Sequence, residues 1–99
     1  MVAFISQRTQ GDNGYGQMSD HMVELVQGID GFLGMDSVRD ATGRGITTGY
    51  FRDEIALDEW RKNFEHRKAM QLGREEWYES YALHVAHVER SYDWQKSAD

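Results

Sequence analysis

The chain contains no cysteine and no proline, and none of its apolar runs approaches bilayer-spanning length. The first absence excludes disulfides, thiolate metal sites and a cysteine nucleophile, and it fits a reducing, cytoplasmic location. The second suits regular elements joined by glycine turns. The third excludes a spanning helix, which needs about 20 consecutive apolar residues, so no membrane partner is expected. The N-terminal stretch MVAFISQRTQGDNG has no basic segment leading into a long apolar one, so no secretory signal is expected either. Positive charge is also scarce. Lys and Arg number 11 against 17 Asp and Glu, a formal net charge of −6, and the basic residues sit among acids, as in WRKNFEHRKAM. A nucleic-acid binder carries a basic patch, and a nucleic-acid partner is therefore not expected.

The 99 residues, 39% hydrophobic and 28% charged, have the composition of one globular domain over residues 1–99. A chain this short buries a modest core, and many such domains gain stability by association. Val2 to Thr9 reads as a strand with Val2 and Phe4 on one face and Ala3 and Ile5 on the other. After the glycine-rich QGDNGYGQ, the residues Met18, Met22, Leu25 and Ile29 recur at helical spacing. Gly28 and Gly31 end that helix. Phe32 to Arg39 and Gly45 to Arg52 alternate as two strands around the hairpin connection DATGR. Asp53 caps a second helix, in which Ala56, Trp60 and Phe64 share a face. Gly73 breaks that helix, REEWYES is a short helix or turn, and Tyr81 to Arg90 alternates as a last strand. The predicted order β-α-β-β-α-β defines an α+β, ferredoxin-like fold, a four-stranded antiparallel sheet with its helices on one face. Strands that are apolar on both faces leave the other face in need of a cover. A homodimer packed sheet to sheet supplies it. Residues 91–99 form a tail whose Tyr92 and Trp94 either reach across to the partner or lie on their own subunit.

From Phe32 to Trp94 the chain resembles the antibiotic biosynthesis monooxygenase family of the dimeric α+β barrel superfamily. The resemblance rests on GFLG, on the SVRD…GRGIT hairpin, on Trp60 followed by Glu65-His66, and on LGREEWY. It implies a dimer of ferredoxin-like subunits, each with a pocket between sheet and helices. Some relatives oxygenate aromatic phenols with O₂ and no metal or flavin, and others bind and degrade haem.

Two residues carry the sharpest chemical expectation. On one continuous helix, Trp60 and His66 would be about 600° apart in rotation, so their side chains would diverge by roughly 120°. The haem-degrading relatives use a tryptophan, a histidine ligand and an asparagine on the first strand. Trp60 matches the first, His66 matches loosely, and Gln7 stands where the asparagine is wanted. Haem is thus the alternative to a cofactor-free reaction. The cofactor-free reading assigns His66 as the base, because imidazole titrates near neutrality. Trp60, Phe64, Tyr50 and Phe51 then serve as walls for a small aromatic ligand, and Arg39 or Arg52 faces a developing oxyanion. The plainer alternatives are a core role for Trp60 and Tyr50 and a solvated strand-edge role for each arginine. His84 and His87, three apart on a strand, point to opposite faces and chelate nothing together. His21 flanks the apolar stripe of the first helix, and Glu75 and Glu76 diverge too far for paired-carboxylate work. A third reading, of another class, is a non-catalytic dimer that binds a small hydrophobic ligand or serves a stress response.

Overall fold

Strand β1, Val2–Arg8, leads into a loop in which the Asp12 carboxylate accepts hydrogen bonds from the Gly14 and Gly16 N–H groups. Gly14, at φ 84°, and Asp12 together start helix α1, Tyr15–Gln27. Strands β2, Phe32–Arg39, and β3, Arg44–Phe51, form the expected hairpin. Asp53 caps helix α2, Glu54–Lys62, by accepting from the Ala56 N–H at 2.9 Å. The computed structural model describes residues 1–97, apart from the side chain of Phe64. Ala98 and Asp99, the end of the expected tail, lie outside the described residues.

The second helix is not continuous. Asn63, at φ −58° and ψ 127°, breaks it, and α3 runs from Phe64 to Leu72. The Asn63 side chain accepts from the His66 N–H at 3.0 Å, so one residue both ends α2 and caps α3. A single π-helical turn, Gly73–Trp77, follows. Strand β4 is Tyr78–Val85, earlier at both ends than alternation alone suggests, and His87 falls in the tail beyond it.

The four strands form one antiparallel sheet in the order β2-β3-β1-β4, the ferredoxin-like α+β layout. Pairing register sorts the side chains into rows that cross all four strands. One row is Arg39, Gly45, Ser6 and Tyr81. The neighbouring row, on the opposite face, is Val38, Ile46, Ile5 and Ala82. The helices lie over the first of these faces, where Tyr15 of α1 meets both Arg39 and Tyr78. The core there includes Val26 and Ile29 at the end of α1, Ala56 of α2, Ala69 of α3 and Trp77. Gly31 is required at its position: it sits at φ 93°, and a Cβ there would lie 2.8 Å from that of Ala56. No described helix covers the second face, and Val38 is 70% and Ile46 46% exposed.

Candidate functional site

The break at Asn63 decides how Trp60 and His66 meet. With two helices in place of one, the divergence expected of a continuous helix does not occur. Their rings stack, with centroids 4.2 Å apart and planes 18° from parallel. His66 Nδ1 lies 3.1 Å from the Trp60 carbonyl oxygen. A carbonyl only accepts, so Nδ1 carries the hydrogen and Nε2 keeps its lone pair. Burial pushes the His66 pKa below its ordinary value, against the opposing effect of the bond to the Trp60 carbonyl. The neutral ring, with its lone pair on Nε2, is therefore the favoured form near neutral pH. The next residue, Glu65, pairs with His21 of α1 at 3.0 Å and ties α1 to α3.

The other expected site residues are spread over the sheet. Phe51 lies on the helix-covered face, edge to face with Phe32 at 5.6 Å. Tyr50, its neighbour in β3, points to the opposite face. There it borders a recess shared with Met1, Val88, Arg90, Ser91 and Tyr92 of the tail. Arg52 is ion-paired with Asp30 at 3.4 Å and with Asp53 at 3.3 Å. Arg39 stands at the other end of the hairpin, separated from Arg52 by about 20 Å of strand. Nothing is described of the Phe64 side chain. Gln7 faces away from the helices, and its amide donates to the Thr42 carbonyl at 2.7 Å.

Around Arg39 the fold assembles a group that sequence reasoning did not single out. The guanidinium lies across Gly45, where a Cβ would come within 2.6 Å of its central carbon. It donates to the Gly43 carbonyl at 2.6 Å, to the buried Ser6 hydroxyl at 3.0 Å and to the Tyr15 hydroxyl at 3.2 Å. Arg8 lies 3.6 Å from the Tyr15 ring centroid. Its Nε donates to the Trp77 carbonyl at 2.9 Å. Phe4, Tyr78 and Tyr81 pack against one another at 5.2 to 6.1 Å between centroids. Arg74 donates to the Tyr81 hydroxyl at 2.7 Å. Burial first, then the neighbouring Tyr15 hydroxyl, push the Tyr78 phenol well above its ordinary pKa. The π turn serves this group, because a Cβ on Gly73 would meet the Tyr78 ring at 2.8 Å. The alternation of β1 already aligns Phe4, Ser6 and Arg8, but only the pairing register brings Arg39 and Tyr81 to them.

No family model matches the chain. Its fold is that of the antibiotic biosynthesis monooxygenases. A protein of Bacteroides thetaiotaomicron assigned to that group matches with a TM-score of 0.77 at 12% identity, covering 96% of this chain and 93% of the other. Rv0793 from Mycobacterium tuberculosis matches with a TM-score of 0.75 at 19% identity, covering 92% and 96%. The chain belongs to the same family as the uncharacterized protein YqjZ of Bacillus subtilis. The two are 44% identical over 98 residues, which span 99% of this chain and 86% of YqjZ.

Proposed function

We propose that the protein is a cofactor-independent monooxygenase acting on a phenol or quinol, with His66 as the base. The observation that carries this reading is the His66 imidazole stacked on Trp60 with its Nδ1 3.1 Å from the Trp60 carbonyl oxygen, an arrangement that leaves the Nε2 lone pair to accept a proton. The fold shared with antibiotic biosynthesis monooxygenases and with a possible oxidoreductase of Bacteroides thetaiotaomicron supports it. Nε2 takes the phenolic proton, and the resulting anion reduces O₂. A C–O bond forms at the ring carbon, the O–O bond breaks, and the ring C–H is lost. The overall change is phenol plus O₂ giving quinone plus water, so the substrate supplies all the electrons. Gln7, which stands where the haem-degrading relatives use an asparagine, is turned to the hairpin on the sheet face away from the helices, and this favours the cofactor-free reading over the haem alternative.

The working unit in this reading is a homodimer, two subunits covering the apolar row Val38, Ile46, Ile5 and Ala82 of each other's sheet. Oxygen uptake by the purified protein with a panel of naphthols and hydroquinones tests the activity. We expect uptake to depend on enzyme and to fall by about 100-fold or more in His66→Ala. Uptake that is unchanged in that variant removes His66 from the chemistry. Saturable binding of a neutral phenol without uptake would replace the oxygenase with a ligand-binding dimer.

A further inference from the structure

We infer that Asp36 and His84 are the two halves of an ion pair between subunits, which sets β2 of one copy over β4 of the other and makes the association of the two copies depend on pH. The inference rests on the dimer reading above and adds its orientation and its control.

The first observation is placement. Pairing register puts Asp36, Thr48, Ala3 and His84 in one row on the sheet face that carries no described helix, on the same face as the row of Val38, Ile46, Ile5 and Ala82. Asp36 and His84 stand on the two outer strands. Strand spacing sets them about 14 Å apart, too far to meet within one subunit. Both are exposed, and neither has an ion-pair partner among the described residues. On its own subunit His84 is flanked by Ala82 and Ala86 along its strand and by Ala3 on β1. The charged and titratable groups around it are the Met1 ammonium, which donates to the Ala86 carbonyl at 2.8 Å, and, along the chain, His87, Glu89 and Arg90 of the tail. Asp36 has Gly34 and Val38 beside it on β2 and Thr48 on β3. The charge on that face of β3 is Arg44, about 13 Å along the strand from Thr48.

The second observation is self-complementarity. Two copies related by a twofold axis present the same face to each other. An axis running along the strands lays β2 over the partner's β4 and keeps the rows in step. Asp36 then faces the partner's His84, and His84 faces the partner's Asp36, so the pair forms twice. The apolar row matches in the same arrangement, with Ile46 over Ile5 in the middle and Val38 over the smaller Ala82 at each edge. An axis across the strands through the Asp36 row lays each strand on its own copy, Asp36 on Asp36 and His84 on His84, and gains no pair of opposite charges. Aligned sheets stack about 10 Å apart and cross at about 30°, which moves the outer strands by about 4 Å, an offset that two exposed side chains absorb. The pH dependence follows from the imidazole. The pair is present while His84 is protonated and is lost as pH rises and the ring becomes neutral. Association is therefore tighter on the acid side, down to the pH at which Asp36 itself takes up a proton.

Sedimentation equilibrium of the full chain at about pH 6 and about pH 8 tests the inference. The dissociation constant of the dimer is expected to be about fivefold or more lower at the acid pH. His84→Gln and Asp36→Asn should each remove that difference, and His87→Gln should keep it. Asp36→His alone opposes two histidines and should reverse the sign, with the weaker association at the acid pH. Adding His84→Asp to it exchanges the two ends of the pair and should restore the original sign. A dimer with the same dissociation constant at both pH values, a difference that survives in His84→Gln or Asp36→Asn, or an exchange variant that does not restore the sign would each overturn the inference and leave the dimer standing. A protein that is monomeric at both pH values would remove the dimer with it.

Discussion

Protonation of His66 has a consequence for stability whose sign follows from its surroundings. Burial lowers its folded pKa below the ordinary 6.5. Between that lowered value and 6.5 the unfolded chain binds a proton that the folded chain refuses, so stability rises with pH across this window. The contribution is complete above the unfolded pKa and is lost as pH falls towards the folded one. Melting temperature measured from about pH 8 to pH 5 should therefore decline on the acid side, and His66→Gln should flatten part of that decline. Identical slopes in the two proteins would show that His66 is not held neutral by the fold. A second residue effect is steric. In Gly31→Ala the new Cβ meets Ala56 at 2.8 Å, and the residue must keep φ 93°. Both strain the same turn, and denaturant unfolding should show a loss of about 2 kcal/mol or more. A stability within about 0.5 kcal/mol of wild type would mean that the turn relaxes. Single residues were the least legible level of the sequence. Trp60 and His66 stood out by type, but helical rotation placed them apart. What brings them together is the ψ of Asn63, and nothing in a polar asparagine inside an otherwise helical pattern announces that value.

Elements were legible where local chemistry decides them. The bounds of β2, the glycine-containing hairpin and the Asp53 cap follow from alternation, turn residues and an N-cap acceptor, and all three appear in the fold. The split of α2 from α3 and the early start of β4 were not legible, for one shared reason. Each is set by how a segment seats on the sheet: Asn63 turns α3, and the π turn brings Tyr78 against Phe4 and Tyr15. The arginine–tyrosine group was hidden for the same cause, since its members come from β1, α1, β2, the π turn and β4. The Asn63 turn yields a direct prediction. Its side chain caps α3 through the His66 N–H, so Asn63→Ala should lower stability by about 1 kcal/mol, while Asn63→Asp, which retains the acceptor, should lose less. Thermal unfolding of the pair checks this. If the stack also depends on the turn, the acid-side decline attributed to His66 should shrink in Asn63→Ala and persist in Asn63→Asp. Equal behaviour of the two variants would mean that packing alone sets the turn.

At the scale of the whole molecule, one sheet face carries no helix among the described residues. Val38 and Ile46 lie side by side on it with Ile5 and Ala82 completing the row, and the helices occupy the other side. The segment after β4 adds Tyr92 and Trp94, 89% and 79% exposed. Water contact over this much contiguous apolar surface is unfavourable, and a second copy presenting the same row removes it for both subunits at once. Light scattering after size exclusion should therefore give twice the 11.5 kDa chain mass. Ile46→Lys places a charge in the middle of the row without touching the helix side, so it should shift the protein to the monomer mass. Association also predicts a melting temperature that rises with protein concentration for the wild type and stays flat for Ile46→Lys. Tyr92→Ala and Trp94→Ala separate the face from the tail. If the tail crosses to the partner, they weaken the dimer as Ile46→Lys does, and if it lies on its own subunit they leave the mass unchanged. A wild-type protein that stays monomeric at the highest concentration measured would mean that the exposed row serves something other than a second copy. The oxygenase reading would then have to be tested on a single subunit.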